Sequence, residues 1–129
     1  MNNFWKYNWP SILWAVFILC LCLTPGSTLP SFNLFQVDKL AHLVVYAILA
    51  VLLYYGWKKQ SYFPSLHRLV FVKILTGTFI YGLAIEYMQA LFTVDRQYDF
   101  DDAIANSAGA LVGSVLAIFI LPKLFPGRL

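Results

Sequence analysis

The chain has 129 residues, 60% of them hydrophobic and only 12% charged, against roughly 25% charged residues in ordinary soluble domains, and its mean hydropathy is +0.70. This balance excludes a soluble globular domain: four membrane spans of about 20 residues would use most of the length and leave no room for a separate soluble catalytic module. The formal net charge of +3 comes without a basic run interleaved with aromatic residues, so nucleic acid is excluded as a partner and the positive charges are read as topology signals.

The first apolar segment covers residues 9–23 and is short, reaching about 17 residues only if it starts near Tyr7. It follows Lys6 as a secretory leader would, yet Thr24-Pro25-Gly26-Ser27 offers no clear small-x-small cleavage site, so it is read as a retained helix. Cys20 and Cys22 sit in its apolar ILCLCL run and are read as packing residues, not as a disulfide or metal pair. The second segment covers 38–57, the third 69–92 and the fourth 102–121. All six prolines, Pro10 and Pro122 among them, are expected at or beyond helix ends, where a missing N–H breaks no internal bond. Trp5, Trp9, Tyr54, Tyr55, Trp57, Tyr62 and Tyr98 fall near segment ends, as expected for rings at headgroup level.

The expected fold is therefore all-α: a polytopic four-transmembrane-helix bundle forming a single domain over residues 1–129, placed in the cell membrane as a multi-pass protein. Lys6, Lys58, Lys59, Arg68, Lys73, Lys123 and Arg128 all fall on one side, which puts both termini and the second connection in the cytoplasm. All six carboxylates (Asp38, Glu86, Asp95, Asp99, Asp101 and Asp102) then lie at or near the outer ends, accompanied by two cations, Lys39 and Arg96.

Three helices carry these polar groups inwards. In DKLAHLVVY a step of four residues turns the side chain by only about 40°, so Asp38, His42 and Tyr46 share a face and form a ladder roughly 12 Å deep. In GLAIEYMQALF, Gly82, Glu86 and Gln89 share a face near the end of the third segment. A carboxylate such as Glu86 costs about 2.5 to 3.5 kcal/mol at the centre of a membrane helix and less towards its end, so it is expected to face a partner or water. In the fourth segment Asp102, Asn106, Gly109 and Gly113 form a narrow stripe whose small-xxx-small pattern permits close helix approach. Asp101 and Asp102 also suit a helix N-terminus as caps. A purely structural account has these groups pairing between helices: Arg96 with Glu86 or an aspartate, Asn106 with Gln89, and His42 with a carboxylate.

With DKLAHLVVY opening one helix, E..Q closing the next and R..D..DAIANSAGALVG leading into the last, the sequence resembles the VanZ-like family of bacterial membrane proteins. The resemblance follows the order of all four segments and is densest over 38–46 and 82–113. It implies a similar topology and a role at the cell envelope; the family's namesake is linked to lowered susceptibility to the glycopeptide teicoplanin. The family's recurring polar positions carry over onto Asp38, Lys39, His42, Tyr46, Glu86, Gln89, Arg96, Asp99, Asp102 and Asn106, with no catalytic role implied for any of them.

Three functions compete. In the first, a pocket at the outer leaflet recognises a lipid-linked or cell-wall headgroup, with Arg96 and Lys39 on phosphate and Glu86, Gln89 and Asn106 orienting the ligand. Its partners would be membrane lipids, a lipid-linked cell-wall precursor or a glycopeptide. In the second, the protein is an intramembrane enzyme acting on a lipid-linked phosphate or sugar, with His42, Glu86 and Asp102 as acid–base candidates. No cofactor is demanded by the sequence, but a divalent cation held by Asp38, Glu86, Asp99 and Asp102 would suit such an enzyme. Neither a zinc HExxH nor a GxSxG nucleophile motif is present. The third, an ion pathway, is disfavoured because the inner halves of the helices are almost wholly apolar.

Overall fold

A computed structural model describes residues 3–25, 34–94, 98–124 and 126–127. Over these residues the chain is helical and contains no strand: α1 (Asn3–Cys22), α2 (Leu34–Lys59), a 3-10 turn (Pro64–His67), α3 (Val70–Phe92) and α4 (Phe100–Val115), which runs on through a π turn (Leu116–Ile120) into α5 (Leu121–Leu124). Three helical stretches are long and apolar enough to cross a membrane: Val37–Lys59, Val70–Phe92 and Phe100–Leu124. α1 spans 20 residues, but Asn3, Lys6, Asn8 and Ser11 make its first half polar.

Two prolines depart from expectation. Pro10 lies inside α1, which begins at Asn3 and not near residue 9. The early start is held from outside the helix: the Asn3 side-chain amide donates to Ser61 Oγ at 2.7 Å, and Asn8 Nδ2 donates to the carbonyls of Phe4 at 3.0 Å and Gly56 at 3.3 Å. Pro122 also lies within helix, in α5. The π turn directly before it widens the spiral where the proline supplies no N–H to the preceding turn.

The burial pattern is inverted relative to a water-soluble domain. Asn8, Ser11, His42, Gln60, Thr78, Glu86, Gln89, Asp102, Asn106 and Ser114 are buried, while Leu13, Leu40, Val44, Ile80, Leu91 and Phe119 are among many large apolar side chains left exposed. An exposed apolar mantle around a partly polar interior is the arrangement a bilayer covers.

α2 is the central element, touching α1, α3 and α4. Its approach to α4 is backbone to backbone: a Cβ added at Gly109 would stand 2.1 Å from the Leu43 carbonyl oxygen, and one at Gly113 2.1 Å from that of Ala47. The four-residue spacing of the glycines matches that of the carbonyls, so only glycine fits at both positions. α1 is tied to the other helices by Trp14 Nε1 donating to the Val45 carbonyl at 2.9 Å and the Tyr81 hydroxyl donating to that of Ala15 at 2.5 Å. Between them, Ile18, Cys22, Tyr46, Leu49 and Ile85 form one core cluster, and Ala50, Ile74 and Ala110 form another.

Candidate functional site

The close α2–α4 contact sets the site. It presses the first two turns of α4 against the N-terminal part of α2, so that Asp38, Lys39 and His42 face Asp99, Asp102 and Asn106. α4 begins earlier than residue 102, at Phe100, because Asp99 is its N-cap: Asp99 Oδ1 accepts the backbone N–H of Asp101 at 2.8 Å. Asp101 and Asp102 thus stand in the first turn, near the positive end of the helix dipole, and are not the cap.

Lys39 spans this turn. Its Nζ donates to Asp102 Oδ1 at 3.1 Å and Asp99 Oδ2 at 3.4 Å, and stands 3.9 Å from Asp101 Oδ2. One level deeper, His42 Nδ1 lies 2.9 Å from Asn106 Oδ1. An amide oxygen only accepts, so Nδ1 carries the proton. The other ring nitrogen, Nε2, faces Asp38 Oδ1 and Asp102 Oδ2, each at 3.9 Å.

Polarity persists below His42. A Cβ at Gly82 would lie 3.1 Å from Asn106 Nδ2 and 3.5 Å from the Tyr46 hydroxyl, so the bare glycine leaves room beside both groups. Among the described residues, Asn106 Nδ2, the Tyr46 hydroxyl and both Glu86 carboxylate oxygens are buried without a hydrogen-bond partner. The Glu86 carboxylate lies within electrostatic reach of Asp102, His42 and Asp99. The cluster is graded: the Asp99 side chain is 42% exposed, His42 and Asp102 are 5% and 6% exposed, and Glu86 is 0% exposed. Asn8 Oδ1 and Ser114 Oγ are buried without a partner as well, but singly. Buried polar groups are normally satisfied, because an orphan costs about 1 to 3 kcal/mol, so four such atoms on three neighbouring side chains mark a place where stability has been given up.

The opposite end of the bundle offers a contrast. Gln60 is as deeply buried as Glu86, yet its amide donates to the Trp57 and Phe63 carbonyls and its oxygen accepts the Phe63 N–H at 2.7 Å. That side chain holds a turn together and has no capacity left over.

The family model described as VanZ/LLP1 matches residues 1–121. The chain belongs to the VanZ-like family. Searches among curated proteins and among solved structures find no match.

Of the polar positions expected in this VanZ-like protein, Asp38, Lys39, His42, Asp99, Asp102 and Asn106 meet directly, with Glu86 and Tyr46 beneath them. Gln89 goes elsewhere: its Nε2 donates to the Cys22 carbonyl at 2.7 Å and anchors the end of α1. Asn106 accordingly pairs with His42, not with Gln89. Arg96 and Asp95 lie outside the described residues. Asp38, His42 and Asp102 offer three ligand atoms within 4.8 Å of one another, whereas the carboxylate of Asp99 is engaged by Lys39 and the Asp101 N–H. Two apolar cavities of the VanZ-like fold, about 260 Å³ beside Ser11, Leu49, Trp57 and Tyr81 and about 420 Å³ beside Leu75, Phe79 and Leu111, share no residue with the polar cluster.

The sequence reading missed the participation of Asp101, whose carboxylate also reaches Lys39. Its place one residue before Asp102 on the first turn was the available signal, because both follow the same cap.

Proposed function

We propose that this VanZ-like protein crosses the cell membrane four times with both termini in the cytoplasm, and that its α2–α3–α4 polar cluster recognises a cell-envelope or lipid-linked headgroup at the outer leaflet. The observation that carries this reading is the buried carboxylate of Glu86, without a hydrogen-bond partner among the described residues, beneath a set of cation, carboxylates and imidazole that grades from the half-exposed Asp99 to the buried His42 and Asp102. Groups that only glued helices together would be mutually satisfied, as Gln60 is. The distribution of Lys and Arg supports the orientation. A fourth span through α1 is supported by its 20-residue length, about 30 Å at 1.5 Å per residue.

In this reading Lys39, already bridging the first turn of α4, meets phosphate as a point charge, Arg96 adds a bidentate fork, and Asn106 Nδ2 and the Tyr46 hydroxyl supply inward donors. By kinship with the family's namesake, such recognition lowers susceptibility to the glycopeptide teicoplanin. A second reading, an intramembrane enzyme on a lipid-linked phosphate or sugar, is favoured by one detail: His42 is fixed in a single tautomer by Asn106, as a general base is when it is oriented by a partner.

Both readings are tested by reconstituting the purified protein in nanodiscs with polyprenyl phosphate, phosphatidylglycerol or phosphatidylcholine, measuring binding and turnover with and without EDTA. Saturable binding to the polyprenyl phosphate without turnover, weakened by Glu86→Gln and His42→Ala, is the expected result. Turnover abolished by His42→Ala would establish the enzyme instead. If both variants bind as the parent does and lose only thermal stability, the cluster is structural.

A further inference from the structure

We propose that Asp38, His42 and Asp102 form a binding site for one divalent first-row transition ion, of the zinc or manganese kind. This inference is independent of whether a headgroup binds.

The spacing is the first ground. His42 Nε2 stands 3.9 Å from Asp38 Oδ1 and 3.9 Å from Asp102 Oδ2, and the three residues place one donor atom each within 4.8 Å of the others. These separations are too long for hydrogen bonds, which end near 3.2 Å. They are close to the roughly 3.3 to 3.6 Å expected between donors arranged tetrahedrally around an ion at about 2.0 to 2.2 Å. The two histidine–carboxylate separations would close by a few tenths of an ångström, and the two carboxylates, within 4.8 Å of each other, by up to about an ångström.

The second ground is that the ligands are already oriented by outer partners. The Nδ1–H of His42 is held by Asn106 Oδ1 at 2.9 Å, which turns the Nε2 side of the ring towards the two carboxylates. Asp102 Oδ1 is held by Lys39 at 3.1 Å, which leaves Oδ2 facing His42. Metal-ligating histidines and carboxylates are characteristically fixed in this way by a second set of hydrogen bonds.

The third ground is charge. Glu86 is fully buried, has no hydrogen-bond partner of good geometry among the described residues although the Asp99 backbone N–H approaches it, and lies within electrostatic reach of Asp102 and His42. A buried carboxylate with so little compensation is costly to ionise, and a divalent cation nearby would relieve that cost. The donor set selects the ion: an imidazole nitrogen with two carboxylate oxygens suits zinc or manganese, whereas magnesium and calcium favour oxygen alone.

The test uses the full-length protein in detergent, stripped with EDTA and dialysed, then titrated separately with zinc, manganese and magnesium chloride. Calorimetry and elemental analysis give affinity and stoichiometry, and cobalt(II) substitution gives a visible spectrum that reports imidazole ligation. One zinc or manganese ion per chain is expected, weakened at least 10-fold by His42→Ala or Asp38→Asn and by about 10- to 100-fold by Asn106→Ala. His67→Ala, at the other end of the bundle, should change nothing. Asp38 is half-exposed, so Asp38→Asn decides the matter if a buried variant fails to fold. Absence of stoichiometric binding, binding undiminished in Asp38→Asn and His42→Ala, or binding of magnesium alone would each overturn the proposal.

Discussion

His42 on α2 and Asn106 on α4 meet at 2.9 Å, Nδ1 to Oδ1, between two residues that are both almost fully buried. The bond joins the two most closely packed helices between the Lys39–aspartate layer and the buried Tyr46 and Glu86, and it sets which imidazole nitrogen faces the carboxylates. Asn106→Ala removes the acceptor and leaves a buried N–H without one. The expected loss of stability is about 1 to 3 kcal/mol, read as a lower midpoint of thermal or denaturant unfolding in detergent.

The α2–α4 contact itself predicts opposite outcomes for two glycines. At Gly109 a methyl group would meet the Leu43 carbonyl at 2.1 Å, a backbone atom that cannot swing aside. Gly109→Ala should therefore force the helices apart at a cost of about 3 kcal/mol or more, at the upper end of overpacking penalties. At Gly77 on α3 a methyl group meets nothing within 4 Å. Gly77→Ala should raise stability by roughly 0.5 to 1 kcal/mol through lower helix entropy alone. Unfolding of the two variants side by side checks both values; equal effects would mean that the helices are not in backbone contact.

Much of this arrangement is visible in the sequence because helical periodicity is local. The three- and four-residue steps from Asp38 to His42 to Tyr46, from Gly82 to Glu86, and from Asp102 to Asn106 to Gly109 each define a face without knowledge of its neighbour. Which faces meet is partly legible too, since two glycines four residues apart invite a close approach. Individual partners are not. Gln89 shares a face with Glu86, yet it bonds to the Cys22 carbonyl because α1 ends at that depth, and no pattern within α3 encodes where α1 stops. The start of α1 is hidden for the same reason: Asn3 is held by Ser61, 58 residues away, so the helix runs through Pro10 despite the local signal to begin there.

Glu86 separates function from stability. Both of its oxygens are buried without a hydrogen-bond partner among the described residues, so an isosteric neutral amide removes the cost of burying a carboxylate and breaks no hydrogen bond found among them. Glu86→Gln should be more stable than the parent by about 1 to 3 kcal/mol, less than the roughly 2.5 to 3.5 kcal/mol insertion penalty at the centre of a membrane helix because Glu86 lies nearer the helix end, while ligand binding weakens. Such trade-offs are characteristic of groups retained for activity. Thermal unfolding of parent and variant in the same nanodisc measures it; a marked loss of stability would show that the carboxylate holds the helices together.

The proposed orientation is tested by single cysteines in a Cys20→Ala, Cys22→Ala background. Ser61 is exposed in the α2–α3 connection, where its hydroxyl and N–H bond to Asn3, and Lys58, Lys59, Arg68 and Lys73 surround it in sequence. An excess of lysine and arginine retains a short connection in the cytoplasm, so Ser61→Cys should react with a membrane-impermeant maleimide only after the cells are opened. Tyr98 is exposed at the other end, two residues before α4, and Tyr98→Cys should react in intact cells. Ser31→Cys and Gln97→Cys, outside the described residues, should label as Tyr98→Cys does. Labelling of Ser61→Cys in intact cells would turn the bundle over and place the His42–Asp102 cluster at the cytoplasmic face, where the phosphate-bearing ligands offered to it would be those of the inner leaflet.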